Sequence, residues 1–251
     1  MDVVTLMMVT YNRLELTKKT LAGLVGSTGI PYNLVVIDNG SEDGTIEFLK
    51  DKPIEDSNLQ NLVIRYNKEN KGIAVGRNQG LVEADKLGTN MYCTIDNDVI
   101  MPAAWLKNCV DILKANKTFG AIGINMEGAE YPAVTLNGFT FQHKPQGNLG
   151  TACMVFPKAV HQMLGFFNME FGRPYSCEDS DLGFRLTRCL NMKIGYAANG
   201  THLGEDGGPN PSDYRKFKTE LHEKTAPVFF KVCREYLNKT KPVYIPFKDE
   251  S

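Results

Sequence analysis

The sequence of 251 residues has one tryptophan, no Cys-x-x-Cys spacing among its six cysteines, and no long apolar run. Each absence excludes a class of protein. Without paired cysteine spacings, a zinc framework or a thioredoxin-like redox site finds no support. Several cysteines lie in apolar runs such as Met91-Tyr92-Cys93-Thr94-Ile95, where a free thiol acts as a small hydrophobe. No stretch approaches the ~18–20 apolar residues of a membrane helix. Met1 to Thr5 shows no basic leader and no cleavage site, so no signal peptide is expected. The expected location is cytoplasmic, with peripheral attachment to a membrane left open. Charge of one sign is also lacking: 28 Lys+Arg stand against 29 Asp+Glu, a formal net charge of -1. That balance leaves no basic footprint for nucleic acid. Hydrophobic residues make up 42%, too many for a disordered chain and enough for a sizeable core.

What is present is an alternation of short apolar runs with helical patterns. Val3 to Val9, Leu34 to Ile37, Leu62 to Tyr66 and Met91 to Ile95 read as strands, and each is followed by apolar residues at helical spacing. Continuous apolar strands alternating with helices predict an α/β, doubly wound, mostly parallel sheet with helices on both faces. Residues 125–150 are rich in Gly, Pro and Asn and read as an irregular or hairpin-bearing insert. Thr151 to Phe156 and Ile194 to Ala197 are expected as later strands, with a helix carrying Leu182, Leu186 and Cys189 between them. Beyond Pro209 the chain is expected to turn helical, with Thr225 able to cap a helix that has Pro227 in its first turn and Phe229, Cys233, Tyr236 and Leu237 on one face. The tail from Lys241 is expected to be loosely held.

Ligands of open parallel sheets bind outside the carboxyl ends of the strands. The residues there are Thr10-Tyr11-Asn12-Arg13, Asp38-Asn39-Gly40-Ser41, Asn67 to Gly72, and Asp96-Asn97-Asp98. Turn chemistry alone explains each one singly, but not all four at one edge. Residues i and i+2 of an extended segment point the same way, so Asp96 and Asp98 can face one hard cation while Asn97 points elsewhere. Mn²⁺ or Mg²⁺ accepts a few carboxylates together with phosphate oxygens. The rival reading of Asp-x-Asp is an Asx turn closing a strand. Asp38, Asp96 and Asp98 end two of these runs, and no comparable basic cluster is evident beside them beyond Arg13 and Arg77.

Those motifs, in this order from about residue 3 to residue 205, resemble a GT-A fold glycosyltransferase of glycosyltransferase family two. The resemblance implies a domain over 1–208, with a nucleotide-binding half at 1–100, an acceptor half at 101–208, and a helical extension at 209–251. It also implies a metal-dependent, inverting transfer of sugar from a UDP-, GDP- or dTDP-linked donor to a glycan, lipid-linked or other hydroxyl acceptor. Thr10, Tyr11, Asn12, Arg13 and Asp38 would hold the nucleobase and ribose. Asn70, Gly72 and Arg77 would approach base and diphosphate; the rival reading is a plain helix start with Arg77 on a solvated face. Asp96 with Asn97 would meet the ribose, Asp98 the metal, and His202 would complete the metal site. Asp179 of Glu178-Asp179 would be the general base, and Glu178, Asp179 and Asp181 would join Asp38, Asp96 and Asp98 at one edge, where a diphosphate would need a divalent cation. Asp179 could instead cap the following helix, while Asp181 pairs with Arg185.

The acceptor side is less readable. Arg173-Pro174-Tyr175 and Trp105 could stack on a sugar or simply pack, and His143, His161 and His222 read as structural. Two other readings compete: a sugar-phosphate nucleotidyltransferase, disfavoured because no Gly-rich basic loop follows the first strand, and a non-catalytic sugar-nucleotide-binding module.

Overall fold

The computed structural model describes residues 2–51, 53–126, 128–171, 177–204 and 211–249, with only the backbone at 211–215, 217 and 218. Its strands are β1 (Val4–Thr10), β2 (Tyr32–Asp38), β3 (Leu59–Tyr66), β4 (Met91–Asp96), β5 (Val99–Ile100), β6 (Phe119–Asn125), β7 (Ala133–Leu136), β8 (Phe139–Lys144), β9 (Cys153–Pro157), β10 (Lys193–Asn199) and β11 (Thr201–His202). The helices are α1 (Leu14–Leu24), α2 (Thr45–Lys50), α3 (Ile73–Lys86), α4 (Trp105–Ala115), α5 (Lys158–Leu164), α6 (Glu178–Phe184) and α7 (Pro211–Leu237), and a π-helical turn (Arg185–Cys189) continues α6. Nine strands form one sheet in the order β3-β2-β1-β4-β9-β6-β10-β8-β7. Its core is parallel, and β9 and β8 run against the other strands.

Side chains alternate across a strand, and β1 shows the consequence. Val4, Leu6 and Met8 join the cluster under α1 and α4 with Trp105, while Met7 joins Leu81, Leu182 and Leu186 on the other face. Both faces of the sheet are therefore covered, as the continuous apolar runs predict. Trp105 is fully buried, which removes it as a stacking platform for a sugar. All six cysteines are free thiols, five of them buried. Among the described residues no helix is long and apolar enough to cross a membrane.

Four features differ from expectation or extend it. A strand at Phe119–Asn125, not anticipated, lies beside β9 and β10; β9 in turn lies beside β4, so both halves of the expected domain share one sheet. The insert does carry a hairpin, with Asn137 and Gly138 both at positive φ between β7 and β8, the backbone a two-residue turn requires. No helix begins at Thr225. α7 runs through Pro227, and the Thr225 hydroxyl bonds back to the Leu221 carbonyl at 2.6 Å. Burial of Val232 and Tyr236 beside Phe171 and Cys177, with Cys233 also buried, anchors the helix, whereas Leu237 is 55% exposed. Finally, the tail is not loose. Ile245 exchanges backbone hydrogen bonds with Leu164 and Phe166 (3.0 and 2.8 Å), and Asp249 pairs with Arg65. The boundary at 208 and the Arg173-Pro174-Tyr175 segment lie outside the described residues.

Candidate active site

The register of the sheet brings the strand ends level. Thr10 pairs with Asp38, Val9 with Asp96, and Asp38 with Tyr66. Asp38 is fully buried. Its Oδ1 accepts the N–H groups of Gly40 (3.1 Å) and Ser41 (3.0 Å), while the buried Oδ2 has no partner. An unsatisfied buried acceptor costs on the order of 1–3 kcal/mol, a cost that a ligand donor would remove. Gly40 has φ 84°, and a Cβ there would stand 2.9 Å from the Glu69 backbone. Glycine thus lets the loop after β2 lie against the loop after β3.

Amide side chains fix that second loop. Asn39 donates to Asn70 Oδ1 at 2.9 Å and accepts from Asn67 (3.0 Å) and from the Lys71 N–H (3.1 Å). Asn67 bonds in turn to Gln79 of α3 at 2.8 Å. Asn70 also accepts the Gly72 N–H at 2.9 Å, which sets the entry into α3. The Thr10–Arg13 loop is tied to the loop after β2, since the Asn12 N–H donates to Ser41 Oγ (3.0 Å) and Asn12 Oδ1 accepts from the Glu42 N–H (2.7 Å). Tyr11 beside it is exposed. The side chains of Thr10 and Asn97 turn inward: Asn97 donates to Thr10 Oγ1 and Thr17 Oγ1, both at 3.0 Å. They brace the ends of β1 and β4 against α1.

Asp96 and Asp98 part company. Asp96 accepts from Arg77 at 3.0 Å, whereas Asp98 Oδ2 accepts from Arg13 at 2.6 Å and its Oδ1 lies 3.6 Å from His202 Nε2. The expectation that both carboxylates face one cation is corrected, because a different arginine takes each. Burial and then the Asp96 charge push the Asp98 carboxyl up, against the pull of His202 and Arg13. β11 pairs with β5, placing His202 opposite Val99, and the Leu203 N–H donates to the Asp98 carbonyl at 2.6 Å. A Cβ on Gly204 would stand 2.7 Å from Asp98 Oδ2, so glycine leaves that carboxylate its space. Among the described residues no three His, Cys, Asp or Glu side chains form a metal cage. The Asp98–His202 pair nonetheless offers one carboxylate oxygen and one imidazole nitrogen 3.6 Å apart, a donor set that suits Mn²⁺ when phosphate oxygens complete the shell.

Arg77 is not on a solvated face. Its buried guanidinium bridges Asp96 (3.0 Å) and Glu178 (2.7 Å) and lies over the Phe167 ring at 5.6 Å. The side chain is bonded to two carboxylates, whereas the resemblance implies that it approaches base and diphosphate. Glu178 is expected at this edge, but nothing in the local sequence marks Arg77, 101 residues away, as its partner.

The acidic run at the start of α6 divides by burial. Asp181 is fully buried, its Oδ2 on Arg185 Nε (2.8 Å) and its Oδ1 accepting the Tyr236 hydroxyl (2.9 Å). Arg185 is fully buried too and also donates to the carbonyls of Leu164, Phe166 and Val243. Asp179 is half-buried, and its Oδ1 accepts the N–H and hydroxyl of Ser180. It is not a helix cap; Cys177 holds that position, with no side-chain hydrogen bond. Of the two aspartates, only Asp179 is open to a ligand.

The family model for glycosyl transferase family 2 matches residues 5–162, more than half of the chain. No curated protein matches. Among solved structures, a mannosyltransferase, PcManGT from Pyrobaculum calidifontis, in complex with GDP-Man and Mn²⁺, is similar with a TM-score of 0.61 at 17% identity, over 89% of this chain and 63% of that one. S. aureus TarS is similar with a TM-score of 0.58 at 18% identity, over 81% of this chain and 37% of that one. For TarS 1-349 in complex with UDP-GlcNAc the values are 0.56 and 19%, over 85% and 64%. The chain spans less than two thirds of each of these relatives, and at such identities the likeness is one of fold. Together with the family match over β1 to α5, it leads to one statement: the chain belongs to glycosyl transferase family 2.

Proposed function

We propose that the protein is a metal-dependent, inverting glycosyltransferase moving a sugar from a nucleoside-diphosphate donor to a hydroxyl acceptor. The observation that carries this reading is the unpartnered Oδ2 of Asp38, at the same sheet edge as Asp98 and Asp96 in a family 2 chain. A carboxylate oxygen there accepts from an N–H, and uracil, thymine and guanine each present one on the pairing edge. UDP-, dTDP- and GDP-sugars are therefore the donors to consider. Asp96 would meet the ribose hydroxyls, and the Thr10 to Arg13 loop would close over the nucleoside.

Asp98 and His202 would hold Mn²⁺ or Mg²⁺. When bound, that ion supplies Lewis-acid neutralisation of the departing diphosphate. Arg13, 2.6 Å from Asp98, brings a further positive charge beside the same leaving group. Asp179 takes the proton from the acceptor hydroxyl as that oxygen attacks the anomeric carbon on the face opposite the diphosphate. The bond to the acceptor forms as the bond to the diphosphate breaks, and one displacement inverts the centre. Asp181 is unsuited to this step, since both of its oxygens are bonded within the core.

The test is to incubate the protein with UDP-, GDP- and dTDP-sugars and Mn²⁺ and to follow the first-formed sugar by proton NMR. An α-linked donor is expected to yield the β anomer, with water as a slow acceptor. Retention of configuration, or pyrophosphate release from a nucleoside triphosphate and a sugar phosphate, would overturn the reading.

A further inference from the structure

A cleft of about 920 Å³ lies along α6, and Ser180, whose hydroxyl donates to the proposed base Asp179 at 3.3 Å, is among its lining residues. Ser180 is also bonded to Asn148 at 2.9 Å. From there the cleft follows α6 and the π-helical turn to Arg188 and the start of β10 at Lys193. Arg188 follows Asp179 by nine positions, with the end of α6 and most of the π-helical turn between them.

The chemistry of this groove opposes that of the donor edge. Lys144, Arg188, Lys193 and His143 line it, and among the described residues no Asp or Glu does. Lys144 is buried, donates to the Tyr196 hydroxyl at 3.3 Å and packs against the rings of Tyr131 and Tyr196 at 5.1 and 5.6 Å. Arg188 and Lys193 are exposed, and no described carboxylate pairs with either. His143, read from sequence as structural, is held below the ordinary histidine range by burial and then by the Lys193 charge. Both signs thus sit within one helix length of Asp179: carboxylates toward the nucleotide, cations toward whatever enters from the other side.

We infer that this groove binds the acceptor, and that the acceptor is an anionic glycan whose phosphate or carboxylate groups, away from the reacting hydroxyl, are met by Arg188 and Lys193. The inference rests on the glycosyltransferase reading. With the hydroxyl at Asp179, the acceptor chain has this groove to follow past Asn148. Guanidinium and ammonium groups then pair with its anions, Arg188 through a planar fork suited to either group. Pairs this exposed weaken as salt rises.

The experiment measures binding of three probes to the full chain by calorimetry: a galacturonate pentamer, its methyl ester, and a glycerol phosphate pentamer. At least one anionic pentamer is expected to bind at least about tenfold more tightly than the neutral ester and to lose affinity at high salt. The tighter of the two identifies the anion as carboxylate or phosphate. R188Q/K193Q, at two exposed positions, is expected to remove the preference. Equal binding of anionic and neutral probes, an unchanged preference in the double variant, or equally tight binding of single-stranded oligothymidylate would overturn the inference. If the double variant does not fold, the wild-type salt series decides alone. Donor hydrolysis by the wild-type chain separates the two claims: its absence defeats the transferase reading, whereas a groove without anion preference defeats only the acceptor class.

Discussion

Arg77 Nη1 lies 2.7 Å from Glu178 Oε1, joining α3 to the start of α6 across 101 residues of chain. The same guanidinium holds Asp96 and feels the charge of Asp179. One buried cation thus serves three carboxylates, and negative charge is left over. Burial pushes Glu178 up to about 7; Arg77 pulls it down and Asp179 adds to the rise.

That surplus makes stability depend on pH. The folded-state value of about 7 lies above the ordinary 4.5, so between those limits the folded chain keeps a proton the unfolded chain has lost. The stabilisation is fully present below about 4.5 and disappears as pH rises through about 7. Urea denaturation is expected to show wild type losing on the order of 2 kcal/mol more than Glu178→Gln between pH 5 and pH 8. Parallel pH dependence in the two proteins would contradict the surplus.

Asp179 and Asp181 should separate cleanly. Asp179→Asn is expected to lower transfer by about 10²–10⁴-fold, the usual worth of a general base, while nucleotide affinity and melting temperature stay near wild type. Asp181→Asn leaves Arg185 buried without its charge partner, and breaking such a pair costs about 3–5 kcal/mol. Its defect is therefore expected in the denaturation midpoint. Rate assays alongside melts would show the two patterns exchanged if Asp181 were the base.

Asp38→Asn keeps an oxygen for the Gly40 and Ser41 N–H groups but puts an NH₂ donor where Oδ2 stands. Facing a nucleobase N–H, that is donor against donor. Affinity for UDP, GDP or dTDP, whichever binds wild type, is expected to fall about 10–100-fold by calorimetry, with the turn intact. Unchanged affinity would place the nucleobase elsewhere.

The carboxylate edge was legible because each apolar run ends abruptly in polar residues, and parallel strands align those ends in space. Thr10, Asp38 and Asp96 could be read that way. β6 could not: Phe-Gly-Ala-Ile-Gly-Ile-Asn carries two glycines that look like breaks. They are there for packing, since a Cβ at Gly120 would meet Leu186 and Met192 and one at Gly123 would collide with the Cys153 carbonyl. Arg77 was misplaced for a different reason. Its partners sit 19 and 101 residues away, and a helical pattern says which face a side chain takes, not which charges meet it. The proline rule failed at Pro227 because anchorage of α7 through Val232, Cys233 and Tyr236 outweighs one missing hydrogen bond.

The central claim is that a divalent cation held by Asp98 is needed to let the diphosphate leave. The most direct measurement is nucleoside diphosphate release from the accepted donor as Mn²⁺ is titrated, for wild type and Asp98→Ala. The expected result is saturable activation of wild type, near silence without metal, and no activation of the variant at any Mn²⁺ concentration. Turnover in a chelator equal to that in Mn²⁺, or normal activation of Asp98→Ala, would contradict it.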